Sequence, residues 1–281
     1  HIILYKRETK TAIGWIGLSW LTPIIGSLFY LIFGINRIER RAESLRRDLE
    51  EYEAPPSVEP IPIERVEHRL HDDEYHLGAL ARLVDEVVKR PLLPGNEITP
   101  LINGDEAYPA MIGAIDQAES SLTFSTYIFD NDEWGARFVS AFERAVDRGV
   151  EVRVLVDAAG LRYSFPSVLS RLRAAGVQTA RFLPSLFPPH LMSINLRNHR
   201  KIMVADGKVG FTGGINIRDA HVLDPEPDYP TQDIHFQVEG PVVAHLQEIF
   251  VDDWKFSPDE ELRMLGTLGI TLSKQGRLRE A

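Results

Sequence analysis

The sequence predicts an α/β sandwich, a largely parallel or mixed sheet flanked by helices, with a transmembrane helix in front of it. Three observations carry that expectation. From Asn96 onward, short apolar runs alternate with stretches of helical periodicity, the pattern of strands joined by helices. Residues 11–36, TAIGWIGLSWLTPIIGSLFYLIFGIN, hold no charged side chain. Two further apolar runs meet at Asp206-Gly207, a strong hairpin signal.

Taken in order, residues 1–10 read as the tail of a preceding membrane span and its loop. As one helix, 11–36 would be about 39 Å long, enough to cross a hydrocarbon core of about 30 Å. Trp15, Trp20 and Tyr30 suit interfacial or packing positions, and Pro23 suits a kink. Lys6, Arg7 and Lys10 precede this stretch, and Arg37, Arg40, Arg41, Arg46 and Arg47 follow it. That bias favours a cytoplasmic C-terminal side.

Residues 37–90 form a juxtamembrane helix and linker. The charged stretch 37–53 is helical, 54–62 carries four prolines, and 77–89 repeats apolar residues at Leu80, Leu83, Val84, Val87 and Val88 until Pro91. His68, His71, His76, Asp72, Asp73 and Glu74 crowd together there, but at no metal-ligand spacing, and they read as solvated linker.

Residues 91–256 form the α/β domain. Strands are expected at 98–102, 122–129, 150–156, 177–182 and 234–238, and helices at 105–120, 134–148, 167–175 and 241–256. Gly149 and Gly176 serve as helix stops. The segment 183–196, LPSLFPPHLMSINL, is a Pro-rich apolar loop, either packed or forming a membrane-facing lip that includes His190. Residues 257–281 are a polar tail, or the start of a connection to a missing second half.

There are 281 residues, room for one or two domains. The absence of Cys excludes disulfides and thiol chemistry. A net charge of −10 argues against a general nucleic-acid binder, although Arg197, Arg200 and Lys201 make a local basic cluster. The chain begins at His1, which suggests a fragment of a longer protein.

The chemistry concentrates in 198–216, NHRKIMVADGKVGFTGGIN. His199 and Lys201 are two apart, so on an extended chain both face one side. A neutral imidazole can attack phosphorus, and an ammonium can hold the nonbridging oxygens. Gly213 and Gly214 allow close backbone approach, and Asn216 adds an amide for the same oxygens.

The full spacing, His199-x-Lys201-x4-Asp206-x6-Gly213-Gly214-x-Asn216, resembles the HKD signature of the phospholipase D superfamily. With the flanking Asn198 and Arg200, it looks most like the bacterial cardiolipin synthase family. The resemblance implies a phospholipase D-like half-domain with His199, Lys201 and Asp206 in the catalytic set. It also implies that an acidic residue downstream, Asp233, orients the nucleophilic His. Asn198, Arg200, Gly213, Gly214 and Asn216 would bind substrate. That family commonly shows Trp-Arg-Asp where this chain has Thr231-Gln232-Asp233, so the acid is kept and the Trp and Arg are lost.

The implied reaction needs neither metal nor cofactor. Phosphatidylglycerol is condensed to cardiolipin plus glycerol through a phosphohistidine, at the bacterial inner membrane, with the catalytic domain cytoplasmic. The superfamily pairs two HKD copies, and this chain has one. A second half would come from a missing C-terminal part or from a second copy. The motif equally fits phospholipase D hydrolysis. A nuclease is disfavoured by charge and membrane stretch, and a catalytically silent membrane module is a further alternative.

Overall fold

The computed structural model describes residues 9–30, 58–67, 75–88, 90–162, 166–182, 197–225 and 227–255. The chain divides into two compact units, 1–50 with 185–196, and 51–184 with 197–281.

In the first unit the single helix expected across 11–36 is replaced by two, α1 (Thr9–Leu21) and α2 (Pro23–Phe29). Thr22 leaves helical geometry at φ −133° and ψ 76°. Pro23 then restarts the helix in its first turn, where its missing N–H is no loss. At 1.5 Å per residue, α1 is about 20 Å long and α2 about 10 Å. Among the described residues, no helix is long and apolar enough to cross a membrane. Residues 1–8 and the juxtamembrane stretch to 57 lie outside the described residues.

The second unit opens with α3 (Ile63–Glu67) and α4 (Tyr75–Val88). The helical period of α4 is as expected, yet its apolar side is uncovered, with Leu80, Leu83 and Val87 exposed. The rest runs β1 (Glu97–Ile102), α5 (Asn103–Gln117), β2 (Ser121–Thr126), α6 (Glu133–Asp147), β3 (Glu151–Asp157), α7 (Val168–Ala174) and β4 (Gln178–Phe182). It continues with β5 (Ile202–Ala205), β6 (Val209–Gly213), β7 (Ile234–Glu239) and α8 (Val243–Lys255).

The seven strands form one sheet in the order β1-β7-β6-β5-β2-β3-β4. Only β2-β3 and β3-β4 are parallel. The pairs β2-β5, β5-β6, β6-β7 and β7-β1 are antiparallel, so the sheet is mixed. The parallel pairs come from strand–helix–strand crossovers. The antiparallel half comes from the tight Asp206-Gly207 turn, where both residues have positive φ (52° and 64°), the geometry that matches strand twist.

Each face of the sheet has its own cover. On one side α5, α6 and α7 bury Phe138, Phe142, Met111, Ile115 and Leu172 against Phe124, Val154, Met203 and Phe211. Each such side chain stabilises the fold by roughly 1.5–3 kcal/mol. On the other, α8 sets Val243 against Ile202 and Val204, and Phe250 and Trp254 against Leu155 and Ala180.

Candidate active site

Strand direction brings five segments to one end of the sheet. The parallel strands β2 and β3 end there, at Thr126 and Asp157. Because β5 is antiparallel to β2, it begins there, just after Lys201. Then β6 ends there at Gly213 and β7 begins there after Asp233. Carboxyl ends of parallel strands are where open α/β sheets collect their ligand-handling side chains.

His199 and Lys201 lie in the irregular segment just before β5. The His199 ring stacks on Tyr127, with centroids 4.0 Å apart and planes 21° from parallel. Lys201 Nζ sits 5.7 Å from the centroid of the same Tyr127 ring and donates to His199 O at 2.7 Å. One aromatic ring therefore positions both the imidazole and the ammonium. Burial lowers the Lys201 pKa from its ordinary value, and the Asp233 carboxylate opposes that shift.

The chain leading into His199 is clamped by buried groups. Asp157 at the end of β3 accepts from Asn198 N at 2.9 Å. Asn198 Nδ2 donates to Asp253 Oδ2 on α8 at 2.8 Å, and Asn198 Oδ1 accepts from Arg200 N at 3.0 Å. Arg200 pairs with Asp253 Oδ1 at 2.5 Å. Asn198 and Arg200, expected to bind substrate, brace the loop through these bonds. Asn198 is buried, whereas the Arg200 side chain is half exposed and engages Asp253 through one nitrogen.

The glycine pair differs from expectation. Gly214 N donates to Ile234 O at 3.0 Å, so that N–H does not face a ligand. A Cβ on Gly214 would lie 2.2 Å from Asp233 Oδ1, and one on Gly213 would lie 2.5 Å from Ile234 O. The glycines therefore let β6 close onto Asp233 and His235. Asp233 is held to the start of α5, because its N–H donates to Asn103 Oδ1 and its carbonyl accepts from Asn103 N. Its carboxylate accepts from Ile234 N at 2.8 Å. Among the described residues it makes no hydrogen bond to His199, and its electrostatic effect falls on Lys201, His221 and His235.

Asn216 is fixed by its neighbours. Its Oδ1 accepts from Ile128 N at 3.0 Å, its carbonyl accepts from the Tyr108 hydroxyl at 2.6 Å, and its N–H donates to His221 Nε2 at 3.4 Å. Since His221 Nε2 accepts, Nδ1 carries the proton and donates to Thr231 O at 3.1 Å. Burial lowers the His221 pKa, which favours that neutral form. His235 is 1% exposed, and among the described residues neither of its ring nitrogens has a hydrogen-bond partner.

Asp206 is placed elsewhere. It sits in the turn after β5, at the opposite end of that strand from Lys201. Its carboxylate accepts from Glu119 N, Ser120 N, Ser120 Oγ and Ser121 N at 2.7–2.9 Å. Asp206 is thus the anchor of the hairpin turn to the start of β2, not a member of the His199 cluster. Tyr127, Asp157, Asp253 and Asn103 were not singled out from the sequence. Their one readable signal is position, because Tyr127 and Asp157 each follow or close a β-rich run.

Among the described residues, no group of His, Asp and Glu is arranged to hold a metal ion. His68, His71, Asp72, the loop 183–196 with His190, and 257–281 lie outside the described residues.

A family model described as "Cardiolipin synthase, PLD-like domain" matches residues 111–254, and one described as "Phospholipase_D-nuclease N-terminal" matches residues 1–34. The cardiolipin synthase of Geobacillus kaustophilus (strain HTA426) is 34% identical over 263 residues, covering 93% of this chain and 51% of its own length. Cardiolipin synthase A of Pseudomonas fluorescens (strain SBW25) is 33% identical over 261 residues, covering 92% of this chain and 54% of its own length. The chain spans about half the length of the curated relatives it matches.

Proposed function

This chain belongs to the cardiolipin synthase, PLD-like domain family, and from that premise we propose that it is the first-motif half of a membrane-bound phosphatidyltransferase. The reaction is condensation of two phosphatidylglycerol molecules to cardiolipin plus glycerol. The observation that carries this reading is the shared seat of His199 and Lys201 on the Tyr127 ring, at the end of the sheet where Asp233 also lies.

Neutral His199 attacks the phosphorus of one phosphatidylglycerol. The bond from phosphorus to the headgroup glycerol breaks, and the departing alkoxide takes a proton from an acid on the second HKD half. The hydroxyl of a second phosphatidylglycerol then attacks the phosphohistidine. It gives its proton back to that group, and the P–N bond breaks. One phosphodiester replaces another, so no nucleotide is consumed. Lys201 balances the charge on the nonbridging oxygens. The Ile128 N–H occupies the carbonyl end of the Asn216 amide, leaving its NH₂ end for the same oxygens. Asp233 contributes as the charge that keeps Lys201 protonated against the effect of burial.

The half-site is completed by the remainder of a longer protein or by a second copy of the chain, consistent with relatives twice this length. The uncharged apolar run 11–36 supports action at a membrane. The basic residues flanking 11–36 support a bacterial inner membrane with the domain on the cytoplasmic side.

The test is product analysis with the full-length protein and phosphatidylglycerol in vesicles. Cardiolipin and glycerol in equal amounts are expected. Phosphatidic acid without cardiolipin would show that water is the acceptor and that the protein is a hydrolase.

A further inference from the structure

We propose that the Arg218 guanidinium binds the phosphodiester of the acceptor lipid, so that two anionic phosphates lie side by side in the site. The reacting one rests on Lys201 and Asn216, and the acceptor's rests on Arg218. This inference deepens the transferase reading and rests on it.

Ile217 forms a parallel bridge with Phe129, its N–H donating to Ile128 O and its carbonyl accepting from Asp130 N. Ile217 and Phe129 are buried, and Arg218 is extended at φ −169° and ψ 151°. Alternate residues of extended chain share a side, so Asn216 and Arg218 flank Ile217 on the side away from the core. At strand rise they stand about 6.6 Å apart. The three-carbon glycerol bridge that joins the two phosphates of the product spans a distance of the same order. The run Tyr127–Asp130 links the two seats. His199 stacks on Tyr127 at its start, and Asp130 at its end pairs with Arg218. Burial lowers the His221 pKa, and Arg218 and Lys201 both add to that shift, so the two cations lie within electrostatic reach of one imidazole.

The backbone of Arg218 is pinned. Its N–H donates to the Tyr108 hydroxyl at 3.1 Å, its carbonyl lies 2.9 Å from the same hydroxyl, and Tyr108 is fully buried. The side chain is freer. It is 34% exposed, and its Nη2 meets Asp130 Oδ2 at 3.0 Å. Asp130 is 9% exposed, and its Oδ1 is buried with no hydrogen-bond partner among the described residues. A guanidinium that served only to satisfy a buried carboxylate would close on both oxygens as a fork. Here one nitrogen is anchored on one oxygen while a third of the side chain stays open, the arrangement of a cation aimed at a second anion. The neighbouring acids are engaged elsewhere. Asp219 accepts from Glu133 N and Trp134 N, and Asp132 accepts from Gly135 N and Asp219 N. Two nonbridging oxygens of a phosphodiester match the open part of the guanidinium fork.

The test uses the full-length protein with phosphatidylglycerol vesicles and radiolabelled free glycerol. Exchange of glycerol into phosphatidylglycerol needs only the reacting phosphate, whereas cardiolipin formation places the acceptor's phosphate as well. Arg218→Gln is expected to lower the ratio of cardiolipin formed to glycerol exchanged by about tenfold to a hundredfold, the size of one lost charge-assisted hydrogen bond, with Arg218→Lys in between. Because Arg218→Gln leaves the Asp130 carboxylate unpaired, the double variant Asp130→Asn with Arg218→Gln is measured beside it. The double variant should regain stability in denaturant and keep the low ratio. An unchanged ratio in Arg218→Gln, or a ratio restored in the double variant, would overturn the proposal and leave Arg218 as the structural counter-ion of Asp130. Parent protein that releases phosphatidic acid, and neither exchanges glycerol nor makes cardiolipin, would overturn the transferase reading and the proposal with it.

Discussion

The His199 imidazole lies flat against the Tyr127 ring, centroids 4.0 Å apart, while Lys201 Nζ approaches the same ring at 5.7 Å. Tyr127 follows β2, and His199 lies 72 positions further along. The stack therefore exists only because β2 and β5 pair antiparallel. Its consequence is a nucleophile with restricted rotation. Tyr127→Phe keeps the flat surface, and the full-length enzyme is expected to retain kcat within a few-fold. Tyr127→Ala releases the imidazole and should lower kcat by about tenfold to a hundredfold with little change in KM, as expected for lost orientation. Steady-state kinetics of the two variants checks this. Equal rates for Tyr127→Ala and the parent would remove Tyr127 from the account.

The clamp ahead of His199 should matter in the same way. Asn198→Ala removes the donor to Asp253 and the acceptor for Arg200 N. Leaving these buried groups short of a partner is expected to cost about 1–3 kcal/mol of stability. Asn198→Asp should cost more, because it sets a third carboxylate beside Asp157 and Asp253. Denaturant unfolding of the two variants gives the order directly.

Asp206 separates stability from chemistry. Burial pushes its pKa up, but hydrogen bonds from Ser121, Glu119 and Ser120 outweigh that, and the net shift is downward. A carboxylate with a depressed pKa stabilises the fold above its unfolded value and loses that contribution as pH falls through the folded value. Asp206→Asn is therefore expected to lower the unfolding free energy by roughly 1–3 kcal/mol at neutral pH. It should leave kcat of the folded fraction nearly unchanged. A large fall in kcat at full stability would return Asp206 to the catalytic set.

His235 makes a pH prediction of the same sign, from burial rather than from hydrogen bonds. Burial lowers its pKa from 6.5 to about 4; Asp233 works against this, and Lys201 and His221 add to it. The unfolded chain thus binds a proton that the folded chain refuses between about pH 6.5 and 4. Stability should fall across that window as pH drops, by on the order of 3 kcal/mol. His235→Leu also removes two unpartnered buried nitrogens, and it should flatten that part of the profile without loss of stability at pH 7. An unchanged acid profile in the variant would contradict the assignment.

Much of this was legible locally. Apolar runs and helical period place the strands from β1 to β7 and the helices α5 to α8 within a few residues, because the central strands β2, β3 and β5 are buried on both faces and the helices bury one side. Sheet direction was not local. The hairpin lies between β2 and β7, which decides for the mixed alternative of the expected largely parallel or mixed sheet. The motif spacing brought His199, Lys201, Asp233 and Asn216 to one end. It also drew in Asp206, although the four residues of β5, at about 3.3 Å each, separate it from Lys201 by a strand length. Gly213 and Gly214 were read as ligand-facing because glycine permits close approach. The partner approached proved to be Asp233 and His235. Asp157 and Asp253 lie far from the motif in sequence, and only the tertiary fold brings them to Asn198. In the N-terminal unit, the uncharged run was plain, but the break at Thr22-Pro23 depends on Gly26 meeting Leu18 two turns away in sequence.

The most direct test of the central claim is to trap the intermediate. Full-length protein is mixed with phosphatidylglycerol labelled at phosphorus, quenched rapidly under alkaline denaturing conditions that preserve phosphohistidine, and mapped by peptide. The account predicts label on His199, absent in His199→Asn and chased away by unlabelled phosphatidylglycerol. Label on another residue, or turnover by His199→Asn at the parent rate, would contradict it.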